Sequence, residues 1–82
     1  MFQAKITVHL KKGVSDPEGN NTLKALHLLG YEDVKSAHTV RTYELELEGK
    51  DKKQIKSDVE QMCQRLLTNP VIHEYSIAIK EL

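Results

Sequence analysis

Residues 2–11 alternate without a break. Phe2, Ala4, Ile6, Val8 and Leu10 are apolar, and Gln3, Lys5, Thr7, His9 and Lys11 are polar. Side chains on a strand point to opposite faces in turn, so this stretch is a strand with one buried and one wet face. A sheet of such strands needs cover on one side only. That excludes a parallel sheet sandwiched between two helical layers. Lys11, Lys12 and Gly13 end the strand.

Asp16-Pro17-Glu18 follows as a helix start. Asp16 accepts from a first-turn N–H, Pro17 suits the first helical position, and Glu18 complements the positive helix end. Leu23, Leu26 and Leu29, flanked by Ala25 and Leu28, place an apolar stripe at helical spacing. Gly19 weakens the first turn, and Gly30 is placed to close the helix in the left-handed region.

Residues 33–48 are expected to be extended. Tyr43, Leu45 and Leu47 alternate with Glu44, Glu46 and Glu48, whereas Val34, Ala37 and Val40 fall out of phase with them. Either a bulge bends one long strand, or a tight hairpin divides two. Arg41-Thr42 lacks the Asn or Gly that a two-residue hairpin wants, so the bent strand is preferred. Asp51 then caps a second helix, with Ile55, Val59, Met62 and Leu66 on its apolar side beside Cys63 and Leu67. Pro70 stops it, and Ile72, Tyr75, Ile77 and Ile79 form a last strand.

The expected architecture is a single α+β domain over residues 1–82. It is a two-layer sandwich, a mainly antiparallel sheet with two helices on one face. The order is strand, helix, long bent strand or hairpin, helix, strand. A chain of 82 residues buries only roughly 60% of its unfolded surface, so association with other chains is expected to support it.

Twelve Lys and Arg balance twelve Asp and Glu, for a formal net charge of zero. This argues against a nucleic-acid or anionic-membrane partner. Phe2, Tyr31, Tyr43 and Tyr75 are too few aromatics for an RNA-stacking sheet. No signal-peptide h-region and no membrane-spanning run is present, so a cytoplasmic location is expected. One cysteine excludes an internal disulfide.

The reactive residue types each have a simpler reading. Cys63 lies on the apolar stripe, as a structural cysteine would. His9, His27, His38 and His73 share no short ligand motif, although His9 and His73 meet if the first and last strands pair. Glu44, Glu46 and Glu48 suit a solvated strand face, and would call for a basic partner if covered. Lys11-Lys12-Gly13 lacks the rest of a phosphate loop, and Lys50, Lys52, Lys53 and Lys56 lack interleaved aromatics. No catalytic, cofactor-binding or metal-binding residue is assigned.

Three segments carry a resemblance. Gly13-Val14-Ser15-Asp16-Pro17-Glu18-Gly19, with Ala25-Leu26-His27 and Leu29-Gly30-Tyr31, is similar to the first half of the PurS family. Tyr43-Glu44-Leu45-Glu46-Leu47-Glu48 resembles that family's acidic-apolar strand. The run from Met62 to Tyr75, Met-Cys-Gln-Arg-Leu-Leu-Thr-Asn-Pro-Val-Ile-His-Glu-Tyr, resembles its signature and is the most specific part. The chain departs from the family at Lys11-Lys12, where a Lys-Pro is usual. It departs again at His38-Thr39-Val40-Arg41, where an Arg-x-Gly-Lys turn is usual. The lost glycine favours a continuous strand there.

The resemblance implies the small subunit of phosphoribosylformylglycinamidine synthase, in purine biosynthesis. It implies a non-catalytic adaptor that self-associates as a dimer or higher oligomer. It also implies two partners, a PurQ-type glutaminase subunit and a PurL-type synthetase subunit. ATP and magnesium are then expected on the synthetase subunit and no cofactor on this chain. The alternative is a small-metabolite-binding regulatory α+β domain.

Overall fold

The computed structural model describes residues 1–82. The three strands are β1 (Phe2–Leu10), β2 (Arg41–Leu47) and β3 (His73–Glu81). The helices are α1 (Pro17–Leu28) and α2 (Lys52–Met62), and a π-helical turn, Cys63–Leu67, extends α2. β1 is central, antiparallel to β2 on one side and to β3 on the other. The expected α+β architecture with an antiparallel sheet is therefore present.

The β1 alternation sets the inner face. Phe2, Ala4, Ile6 and Val8 are all buried. The register places Leu45 and Ile79 on either side of Ala4, and Tyr43 and Ile77 on either side of Ile6. α2 supplies Ile55 and Val59 to the same core and the π-helical turn supplies Cys63, four residues apart each time. Only 8 of the 82 residues are buried, so the single chain has a thin core.

Both predicted helix caps form. Asp16 accepts from the Gly19 N–H at 2.9 Å, with Pro17 at the first helical position. Asp51 accepts from the Lys53 N–H at 3.0 Å. At the end of α1 the Tyr31 N–H reaches the Leu26 carbonyl and the Gly30 N–H reaches the His27 carbonyl. This doubled closure needs a left-handed residue, and Gly30 supplies it at φ +99°.

Three details differ from the sequence reading. First, residues 34–40 join no ladder, and the second strand begins only at Arg41. Neither one long bent strand nor a hairpin forms there, because the segment runs along α1 instead. Second, α2 lies over β1 and β3, while α1 does not pack on the sheet. Only one helix covers the inner face within a single chain. Third, Leu66 is 82% exposed, and Leu67 packs against the core in its place. The cause is the π-helical turn, closed where the Thr68 N–H and hydroxyl both donate to the Cys63 carbonyl. A wider turn keeps every fourth residue in line, so Leu67 continues the series Ile55, Val59, Cys63.

The outcome is a long, thin molecule of 51 × 28 × 14 Å with a radius of gyration of 16.4 Å. A compact chain of this length would have about 12 Å.

Candidate functional site

The elongation traces to one unit, an arm made of α1 and the strap of residues 34–40 beside it. Two clasps hold the arm together. At its base, Asp16 accepts from the Thr39 N–H at 2.8 Å and the Thr39 hydroxyl at 3.2 Å. At its tip, His27 Nε2 lies 2.8 Å from the Val34 carbonyl oxygen and donates to it. Between them the strap passes so close to Gly19 that a Cβ there would lie 2.5 Å from the Ala37 carbonyl oxygen. Gly19 is accordingly the one buried residue of α1. These hydrogen bonds hold the Asp16 carboxyl below its ordinary value, the Thr39 N–H contributing most and the Gly19 N–H next.

The arm leaves apolar surface without cover. Leu23 and Leu26 are half-buried, but Leu28 is 89% exposed and Leu29 73%. Tyr31, next along, is also exposed. On the sheet, Tyr43, Leu45 and Leu47 remain half-buried on the inner face of β2, where no helix lies above them. One chain thus carries an apolar helix without a sheet and an apolar strand face without a helix. Uncovered apolar surface of this kind marks an interaction site.

The residue types that bear chemistry are dispersed. Cys63 is fully buried in the core, and burial together with nearby Glu60 pushes its thiol up from the ordinary value. β1 and β3 do pair, yet His9 and His73 do not meet. His9 is opposite Glu74 and lies 3.4 Å from its carboxylate, while His73 is opposite Leu10, on the other face. His73 Nδ1 instead accepts from the Asn69 N–H at 2.8 Å, bracing the turn that follows the helix. Glu44 and Glu46 stand on the exposed face of β2, opposite Lys5 and Gln3, and Glu48 lies just beyond the strand. Lys50, Lys52, Lys53 and Lys56 are exposed around the start of α2. No three His, Cys, Asp or Glu side chains are grouped so as to hold a metal ion. No helix is long and apolar enough to cross a membrane.

Sequence reasoning identified Asp16 as a cap but missed its second role in holding the strap. A glycine in the first turn of a helix was the available signal. A side chain at position 19 would block the strap.

Comparisons with known proteins agree with one another. The family model described as PurS, phosphoribosylformylglycinamidine (FGAM) synthase, matches residues 3–81. The PurS subunit of that synthase from Methanocaldococcus jannaschii is 40% identical over 82 residues, covering 100% of this chain and 99% of the relative. The Bacillus subtilis PurS subunit is 34% identical, covering 100% and 96%. Among solved structures, M. jannaschii PurS, described as one of the subunits of formylglycinamide ribonucleotide amidotransferase, superposes with a TM-score of 0.91 at 39% identity. It covers 100% of this chain and 99% of its own. A chain of the Thermotoga maritima PurLQS structure gives 0.87 at 29% identity and covers 96% of each.

Proposed function

The chain belongs to the PurS family, subunits of phosphoribosylformylglycinamidine synthase in purine biosynthesis, and from that premise we propose that it is the adaptor of such an enzyme. It docks a PurQ-type glutaminase subunit onto a PurL-type synthetase subunit. The T. maritima PurLQS structure, which contains a closely similar chain, supports this choice of partners. ATP and magnesium belong to the synthetase subunit, and the assembly works in the cytoplasm.

The observation that carries this reading is the open arm. α1 stands away from its own sheet, with Leu28 and Leu29 in water, and the β2 inner face lacks a helix. The arm of one copy laid on the β2 face of a second, and the reverse, covers both surfaces at once. Such a self-complementary exchange makes a two-fold dimer. The dimer then has the stability that the thin core of one chain withholds.

The chemical benefit of an adaptor lies in alignment. Glutamine hydrolysis releases ammonia, which is a nucleophile only while unprotonated. In open water near neutral pH it is mostly protonated and diluted. Fixing the glutaminase against the synthetase shortens the transfer and keeps water out. This task needs surfaces, and no nucleophile or general base on the adaptor itself.

Reconstitution tests the proposal. Glutamine-dependent amidine synthesis by the two larger subunits should require this chain, and the chain alone should turn over neither glutamine nor nucleotide. Glutamine-dependent synthesis at full rate without the chain would refute it.

A further inference from the structure

The strap and β2 together leave a row of backbone groups open. β1 bonds β3 through its odd-numbered positions, since the Lys11 N–H reaches the Ile72 carbonyl and the Leu82 N–H the Met1 carbonyl at the two ends of an unbroken register. Backbone groups of successive strand residues point to opposite sides, so the even positions of β1 bond β2. The β1–β2 register then turns Arg41, Tyr43, Leu45 and Leu47 toward β1. The N–H and C=O groups of Thr42, Glu44 and Glu46 are left on the outer edge of the sheet.

The strap runs straight into β2 at Val40–Arg41 and joins no ladder of its own. Its Thr39 N–H is turned to Asp16, inside the arm. In extended backbone the N–H groups of Ser36, His38 and Val40 face the other way, and no hydrogen bond of the chain takes them. Every even position from Ser36 to Glu46 thus offers an open N–H, in one phase across the junction. Such an edge is a template for another strand. The same run, turned end for end, matches itself. A second copy also brings α1 over the uncovered inner face of β2, so it supplies the ladder and the cover together.

We propose that residues 36–44 of two copies pair antiparallel about a two-fold axis at Val40, so that each strap becomes a fourth strand on the other copy's sheet. Val40 faces its own counterpart, His38 faces Thr42, and Ser36 faces Glu44. Moving the axis to the next residue would set Arg41 against Arg41, and directly opposed like charges are unfavourable. The continuous strand expected from the sequence then forms only between two chains. The inference rests on the self-association within the adaptor reading, and adds the ladder, its register and its axis.

The test uses the full chain. Glu44→Pro removes an N–H that bonds nothing in one chain, and proline is tolerated at such edge positions. Its mass should fall to that of one chain, 9.4 kDa, with the circular dichroism of the wild type. Should that variant fail to fold, amide exchange of the wild type reads the same ladder. The His38, Val40, Thr42 and Glu44 amides should exchange at least tenfold more slowly than that of Lys35, and lose this protection on dilution to single chains. Opposed residues of a bonded pair lie about 5.5 Å apart at Cα, within disulfide reach. Val40→Cys with Cys63→Ala should therefore be joined into a two-chain species by diamide, and Arg41→Cys with Cys63→Ala at least tenfold more slowly. An unchanged mass for folded Glu44→Pro would overturn the proposal. So would Thr42 and Glu44 amides as fast as that of Lys35 in an oligomeric wild type, or faster joining at position 41 than at 40. Glutamine-dependent synthesis with both larger subunits reads the adaptor role separately. Full synthesis without the chain would overturn that role whatever the ladder shows.

Discussion

Asp16 and Thr39 are 23 residues apart in sequence and joined by two hydrogen bonds, one from the Thr39 backbone N–H at 2.8 Å and one from its hydroxyl at 3.2 Å. The same carboxylate caps α1 through Gly19. A single side chain therefore starts the helix and fixes the strap that returns along it. Gly19 makes room for both. In an ordinary helix, glycine to alanine stabilises by roughly 0.5–1 kcal/mol. Here the added Cβ would meet the Ala37 carbonyl at 2.5 Å and an Asp16 oxygen at 2.6 Å. Gly19→Ala should therefore destabilise the chain, and a lowered denaturation midpoint checks the reversed sign.

Acid should loosen the arm. The folded-state value of Asp16 is depressed, with the Thr39 N–H as the largest cause. The group thus adds stability above its ordinary value of 3.8, and that stability disappears as pH falls through the lower folded value. Asp16→Asn lacks the charge at every pH. Melting temperatures of wild type and Asp16→Asn should differ near neutral pH and converge in acid.

Ile6 is wholly buried at the centre of the sheet, between Tyr43 and Ile77. Ile6→Ala should cost about 2–5 kcal/mol, a large part of what so small a domain possesses. Leu66→Ser, one residue before the core-facing Leu67, should change the stability of the chain by less than about 0.5 kcal/mol, since Leu66 is already in solvent. Chemical denaturation of the two variants separates the π-turn register from a regular helix, in which the costs would approach each other.

Cys63 should be inert in the folded protein. It is fully buried, and burial followed by the Glu60 charge raises its thiol, so thiolate is scarce and inaccessible. A disulfide reagent should label it at the rate of global opening, and quickly only in denaturant. Rapid labelling under native conditions would place the residue in a reactive setting that the fold does not provide.

Local rules read most of this molecule. Alternation gave the strands, Asp16 and Asp51 the helix starts, and Gly30 the end of α1, because each depends on neighbours in sequence. Three features escaped because they depend on distant contacts or on a subtle phase. The strap follows from a carboxylate meeting a threonine across 23 positions. The position of Leu66 turns on one widened helical step at Cys63. The standing-off of α1 could not be read from amphipathicity. An apolar stripe demands cover without saying whether its own sheet or another copy's provides it. The family resemblance carried by the segment from Met62 to Tyr75 supplied what spacing alone could not, the identity of the assembly.

The mass of the chain in solution tests the central claim most directly. Each chain weighs 9.4 kDa. Light scattering at micromolar concentration should give at least twice that mass, and a single larger species once both partner subunits are added. A mass that stays at one chain, before and after the partners are mixed in, would contradict the account.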